Sequence, residues 1–278
     1  MRLGGGMTLA RATFPRRNLR PKRRLSERLS EIPRLLRGRV CVVEVIVPSR
    51  NLLLRSLGAH LRELKPHLSP ASYRAGDVLG EPGQRRDRVI FPTSGLISTR
   101  AVLESGHELE AGLIGRNNAS GAPAAMGTGV ALLRTVCLTD VHAWNIPMPR
   151  LQAAMRSALV IDVQVKRFSE AQIGYMLQVG ICNAMHPLEQ RLARWLTITA
   201  DLLDGPEIQT PQEELAKGFG VQRSALNPLL QRLKAESLLD IGRGRLLIRD
   251  ASRLRKRACE CTPSLQRAMR VEPMLNCG

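Results

Sequence analysis

The chain has 278 residues, 44% of them hydrophobic and only 3% aromatic, and its 42 Lys and Arg against 24 Asp and Glu give a formal charge of +18. That length suffices for two domains with separate cores, and the charge favours a polyanionic partner: nucleic acid, an anionic membrane surface or an acidic protein. No apolar stretch approaches the ~18 residues that cross a bilayer, and no uninterrupted apolar segment with a small-residue cleavage site follows the basic amino end, so a cytoplasmic location without membrane contact is expected.

Residues 1–48 are dense in arginine, as in "RRNLRPKRRLSERL", and show no clear apolar face. Like-charge repulsion predicts disorder there. The segment is either a DNA-attracting arm or an extension foreign to the native protein, with Val47 as the alternative start. From Asn51 to Lys65, Leu53, Leu57, Leu61 and Leu64 recur at three- and four-residue steps, which predicts one short amphipathic helix. Within a domain expected over residues 49–149, the chain then changes period between Tyr73 and Pro149. Short apolar runs ("RVIFP", "LISTRAVL", "LEAGLIG", "LLRTVCL", "VHAWNIP") alternate with the turn signals "AGD", "EPGQ", "PTSG", "ESGH" and "GTG". That pattern predicts a small antiparallel barrel or sandwich.

Residues 150–185 return to the helical period without a proline, punctuated only by Gly174 and Gly180. Phe168, Ala171, Tyr175, Cys182 and Met185 form one apolar row, and Val165, Met176 and Val179 a second beside it. Two rows on one long helix point to packing against a symmetry mate, with the glycines allowing close approach; a core helix within one chain is the alternative. His186-Pro187 then marks a hinge, and "HPLEQRLARWLTITADLL" opens a new helix with Pro187 at its first position.

In "TPQEELAKGFGVQRSALNPLLQRL", Thr210 suits an N-cap, Pro211 the first helical position and Glu213 the capping-box position. Gly220 supplies a left-handed turn. The second helix buries Leu226, Leu230 and Leu233 and shows Gln222, Arg223, Ser224 and Asn227. This is a helix-turn-helix, whose second helix reads base edges from its first turns. Arg223 can grip guanine O6 and N7, and Asn227 can pair with adenine. "LLDIGRGRLLIRD" forms a two-stranded wing that reaches phosphates through Arg243 and Arg245. Thr210 and Gln212, at the start of the first helix, complete the expected DNA-binding set. Pro228 lies inside the second helix, where it removes one amide donor at a cost of about 3 kcal/mol. Either one helix runs through it, bent, or a late helix starts with Asn227 as cap; replacing Pro228 with leucine should stabilise the domain.

The order of barrel, long helix, hinge, helix-turn-helix and wing resembles the Crp/Fnr family of bacterial transcription regulators over residues 49–262. "FPTSGLIS" looks like that family's barrel signature, "HPLEQRLARWL" and "TPQEELAKGFGVQRS" like its DNA-binding half, and "ACEC" like a feature of one branch. The resemblance implies an α+β fold: an N-terminal antiparallel β-roll of the cyclic-nucleotide-binding-like type, a long dimerisation helix over 150–185, and a C-terminal winged helix-turn-helix over 186–262. Residues 263–278 have no clear core face, and a loosely ordered tail is expected. Implied partners are double-stranded DNA, a second copy of the chain, a small-molecule effector and RNA polymerase. Members that bind cyclic AMP carry a Gly-Glu pair and an Arg-Ser or Arg-Thr pair. Here Gly121 is followed by Ala122, and Arg134-Thr135 matches only after a shift across a loop. A lost charge-assisted hydrogen bond costs about 1.5–3 kcal/mol, so an effector other than cyclic AMP is expected, with Gly121, Arg134 and Thr135 as candidate contacts. The alternative is a regulatory module whose helix-turn-helix is degenerate or binds protein.

No metal, cofactor or enzyme activity is expected. Cys41, Cys137, Cys182, Cys259, Cys261 and Cys277 are scattered, and C-E-C has no second pair at metal spacing. His60, His67, His107, His142 and His186 form no H-E-x-x-H motif and no matched His-Cys cluster. Ser94 and Ser120 lack the nucleophile-elbow pattern.

Overall fold

The structure, a computed structural model, describes residues 50–271. The basic extension, Val47, Cys41 and Cys277 lie outside the described residues. Asn51 anchors the start. Its Oδ1 accepts from the Leu54 amide, and its Nδ2 donates to the carbonyls of Pro92 and Asn118, so this fully buried side chain caps the first helix and ties it to two loops. The single helix expected over 51–65 is instead two short ones, α1 (Leu52–Ser56) and α2 (Leu61–Leu64). Gly58 separates them with a φ of 53°, a conformation that no continuous right-handed helix contains.

Seven strands follow: β1 (Ser69–Tyr73), β2 (Val78–Gly80), β3 (Arg88–Ser94), β4 (Ile97–Val102), β5 (Glu108–Ile114), β6 (Arg134–Cys137) and β7 (Val141–Pro147). They form two antiparallel sheets, β1-β7-β3 and β2-β6-β4-β5, facing each other across Ile90, Ile97, Ile114, Cys137, Val141 and Ala143. The five apolar runs correspond to β3–β7. β1 ("SPASY") and β2 ("VLG") carry no legible apolar alternation and form because β7 and β6 offer them open edges. Gly95, in the "PTSG" turn, must be glycine. Its φ is 77°, and a Cβ there would stand 2.0 Å from the Asp140 carbonyl oxygen. Between β5 and β6, a short helix α3 (Ala122–Ala125) leads away from Gly121.

The long helical stretch breaks at Ala158, which is extended, into α4 (Met148–Ser157) and α5 (Leu159–Met185). Helix α5 runs straight through Gly174 and Gly180, neither of which has a neighbour within 4 Å of a Cβ position. It serves two cores. Ile161, Val165 and Phe168 pack with α1, α2, α4 and the β1-β7-β3 sheet, while Tyr175, Val179 and Cys182 join the carboxyl-terminal core. The apolar row assigned to a symmetry mate is thereby corrected: Val165, Phe168, Tyr175, Val179 and Cys182 are buried within the chain. The exposed row lies on the far side of the helix, at Ile173, Leu177, Ile181 and Met185.

His186 is extended, and α6 (Leu188–Leu203) starts after Pro187, which is the cap rather than the first helical residue. Strand β8 (Glu207–Gln209), α7 (Gln212–Gly218), α8 (Arg223–Ala235), β9 (Leu239–Gly242) and β10 (Arg245–Ile248) complete the winged unit, with sheet order β8-β10-β9. Helices α9 (Ala251–Arg257) and α10 (Cys261–Met269) end it. The expectation of a loosely ordered tail is corrected for residues 263–271: α10 buries Leu265 and Met269 against α5 and α6. Its apolar positions are spaced at i and i+4, too few to stand out among the intervening polar residues.

Candidate nucleic-acid interface

Helix α7 is held by Leu215 and Ala216, both buried, and ends where Gly220 turns the chain at a φ of 66°. The Val221 amide donates to the Ala216 carbonyl, which closes the corner. Helix α8 then starts at Arg223, with Gln222 as its extended cap, and buries Leu226, Leu230 and Leu233. Full burial of such a leucine contributes about 1.5–3 kcal/mol, so the three together outweigh the cost of one interior proline. The helix runs through Pro228 without interruption, which excludes a start at Asn227.

The leading edge of α8 is polar and open. Gln222, Arg223, Ser224 and Asn227 are all exposed, before Pro228 and on the side away from the leucines. The wing adds Arg243 and Arg245, both exposed, around a two-residue turn whose second residue, Gly244, has a φ of 68°. Among the described residues, Arg223, Arg243 and Arg245 have no carboxylate partner, whereas Arg232 pairs with Glu189 and Arg249 with Asp240. Exposed guanidiniums without a carboxylate partner therefore stand beside the polar edge of α8 and at the wing tip. Thr210 does not join them. It is 1% exposed, Pro211 rather than Thr210 caps α7, and the Thr210 hydroxyl faces the interior. Gln212 is half-buried.

A second feature lies in the β-roll, a cavity of about 400 Å³ between β4, β6, α3 and α5. Gly121 and Thr135 line it, as does Arg86, which no spacing in the sequence singled out. Arg86 is 8% exposed. Its Nη1 donates to Thr135 Oγ1 at 2.6 Å and its Nη2 to Ser120 Oγ at 2.8 Å, with no carboxylate paired to it among the described residues. Burial lowers its pKa, against the opposing field of Asp87. Arg134 is not in the cavity. It points outward to ion-pair with Glu81 at 2.9 Å and with Glu108, and it is Arg86 that bonds Thr135. Ala122 is fully buried at the start of α3.

Strands β4 and β5 connect this roll to the helix-turn-helix. Arg100, 2% exposed, donates from Nη1 to Glu108 at 2.9 Å and to Glu214 of α7 at 3.1 Å. Glu110 accepts from Ser98 Oγ at 2.7 Å and from Trp195 Nε1 of α6 at 2.8 Å. Burial raises the Glu110 pKa against the opposing pull of Ser98, Arg100 and Trp195. Glu214 is also pushed up by burial, but Lys217 and Arg100 together bring it below the ordinary value. Leu109 packs on the turn itself, where a Cβ on Gly220 would meet it at 3.2 Å. The residue that lines the cavity on β4, Thr99, is next in sequence to the one that grips α7.

The expectation of no matched His-Cys cluster is also corrected: the fold brings Cys182, His186, Cys259 and Cys261 together.

Residues 190–257 match the Crp-like helix-turn-helix domain family. No curated protein matches the chain. Among solved structures, a crp/fnr-family protein from Eubacterium rectale superposes with a TM-score of 0.58 at 17% identity, covering 78% of this chain and 99% of that one. TTHB099, a CRP-family transcriptional regulator from Thermus thermophilus, gives 0.56 at 18% identity over 68% and 96% of the two chains. FixK2 from Bradyrhizobium japonicum gives 0.55 at 16% identity over 69% and 98%. Likeness at these identities establishes the fold. The chain therefore carries a Crp-like helix-turn-helix domain behind an antiparallel β-roll, and its fold is similar to that of these crp/fnr-family structures.

Proposed function

We propose that the protein is a dimeric, sequence-specific transcription regulator that binds double-stranded DNA in the cytoplasm through α8 and the wing. The observation that carries this reading is the set of unpaired Arg223, Arg243 and Arg245 around the exposed edge Gln222–Asn227, on a domain of Crp-like type. Phosphate contacts by the wing position the domain, and Arg223 and Asn227 supply base discrimination. Two copies of α5 meet through the exposed row Ile173, Leu177, Ile181 and Met185, where Gly174 and Gly180 leave room for a facing helix. The β-roll cavity receives an effector. Arg86, buried and hydrogen-bonded to hydroxyls without a carboxylate partner among the described residues, favours an anionic group there, and the absence of a glutamate at Ala122 disfavours cyclic AMP. Occupancy that shifts β4 is felt at Glu214 through Arg100.

Genome-wide mapping of bound sites in the native cell, followed by titration of the purified chain with a recovered site and a scrambled duplex, tests the reading. A preference for the recovered site that weakens steeply with salt is expected. Equal grip on both duplexes would overturn it in favour of a degenerate or protein-binding motif. Titration with cyclic AMP and cyclic GMP should show no micromolar binding.

A further inference from the structure

Four side chains from distant parts of the sequence converge below the hinge. Cys182 is on the last turn of α5 and His186 is its C-cap, four residues on. Cys259 and Cys261 flank Glu260 where α9 gives way to α10. The three Sγ atoms and one imidazole nitrogen all lie within 4.8 Å of one another. Cys182 Sγ is 3.4 Å from Cys259 Sγ, and Cys261 Sγ is 3.7 Å from His186 Nδ1. All three cysteines are buried, and the histidine is largely so.

We propose that these residues form a mononuclear Cys3His zinc site that locks the hinge to the carboxyl-terminal helices. A tetrahedral zinc ion, with Zn–S near 2.3 Å and Zn–N near 2.0–2.1 Å, sets its ligand atoms about 3.5–3.8 Å apart. The separations already present bracket that range, so side-chain adjustment alone completes the geometry. Three thiolates and an imidazole suit a soft or borderline cation rather than magnesium or calcium. The donors stand too close together to enclose an iron–sulfur cluster, whose irons and sulfides occupy the space between the cysteines. Four protein ligands leave no open position, which is the arrangement of a structural site rather than a catalytic one.

The surroundings support the assignment. His186 turns Nδ1 to the cluster and Nε2 toward Glu260 Oε1 at 3.7 Å, so a carboxylate faces the ring nitrogen that does not bind the metal. Gln178 Nε2 donates to Cys261 Sγ at 3.2 Å. Three thiolates and a neutral imidazole around a divalent ion leave one net negative charge on the site. Because α10 packs on α5 and α6, one ion would tie the end of α5, the hinge residue and the start of α10 into one unit. Metal occupancy would then set how rigidly the helix-turn-helix follows α5.

The test uses the full chain purified under reducing conditions without chelator. Elemental analysis should find about one zinc per chain, as a closed four-ligand site requires. Cobalt exchanged for the zinc should give the visible absorption of a tetrahedral thiolate complex. Cys182→Ser and Cys259→Ser should each lose the metal and that absorption, whereas Cys137→Ser, a buried cysteine of the β-roll, should keep both. To separate ligand loss from misfolding, wild-type protein is stripped with a chelator and reloaded; its Tm should fall and then recover with zinc. The proposal is overturned if stripped wild-type protein retains no added zinc after desalting, if both serine variants hold zinc as well as wild type, or if Tm ignores stripping and reloading. A mass deficit of two hydrogens mapped to a Cys182–Cys259 disulfide in freshly reduced and reloaded protein would equally overturn it.

Discussion

Replacing Pro228 with alanine isolates the backbone cost of a proline inside α8, the second helix of the helix-turn-helix. Pro228 is the sixth residue of α8 and is exposed, so its removal opens no cavity and alanine adds no apolar surface. It restores one amide donor to the Ser224 carbonyl and relieves the ring's crowding of that oxygen. An interior proline costs about 3 kcal/mol relative to alanine. Proline also restricts the unfolded chain, which returns about 0.4–1 kcal/mol to the wild type. The net expectation is a gain of about 2 kcal/mol, or about 4–8 °C in Tm for a chain of this size. Differential scanning calorimetry of wild type and variant, with urea midpoints as a second probe, measures it. An unchanged or lower Tm would refute the claim that the native helix bears the strain, and would mean that the surrounding leucines have already accommodated it.

Arg223→Ala should lower affinity for the mapped site by about 1–3 kcal/mol with discrimination lost at one base pair, whereas Arg245→Ala should weaken all duplexes alike and reduce the salt slope by about one; anisotropy titrations at several salt concentrations separate the two. Leu177→Glu, at a position 65% exposed in the single chain, should leave the fold intact by circular dichroism and convert dimer to monomer in sedimentation; a variant that still sediments as wild type would rule out this face. Arg86→Met should raise the Tm of effector-free protein, since it removes a buried cation without a carboxylate partner, and a fall in Tm would show that the two hydroxyl bonds outweigh desolvation. Glu110, whose folded pKa is raised by burial, contributes stability that is present below the unfolded carboxylate pKa and lost as pH rises through the folded value. Glu108 and Glu214 are lowered and act oppositely, losing stability as pH falls. Glu110→Gln keeps an acceptor for Trp195 and should therefore flatten the loss of stability that sets in as pH rises above the unfolded carboxylate pKa, while leaving the loss at lower pH from Glu108 and Glu214. Urea unfolding across pH reads both limbs, and an unchanged fall above the unfolded carboxylate pKa would show that another group titrates there.

The helix-turn-helix was legible because its determinants are local. Gly220, the leucines at 226, 230 and 233 and the Gly244 turn sit at spacings fixed by helix pitch and hairpin geometry, which any short window displays. Strands β3–β7 were legible for the same reason, the edge strands β3 and β5 included. β1 and β2 were not, because they carry no apolar alternation of their own and are held by the open hydrogen bonds of β7 and β6. Thr210 looked like a surface cap because the capping pattern says nothing about burial.

By itself the sequence determined the strands β3–β7, the helix-turn-helix with its wing and which edge of α8 is polar, since side-chain periodicity and backbone freedom act over a few residues. Only the tertiary structure decided that Arg86 rather than Arg134 enters the cavity, that α5 turns Ile173, Leu177 and Ile181 outward, and that Cys182 and His186 meet Cys259 and Cys261. These placements depend on how sheets and helices stack, a balance of burial and pairing among residues far apart in the chain, as between Cys182 and Cys261, 79 positions apart, that no local window contains.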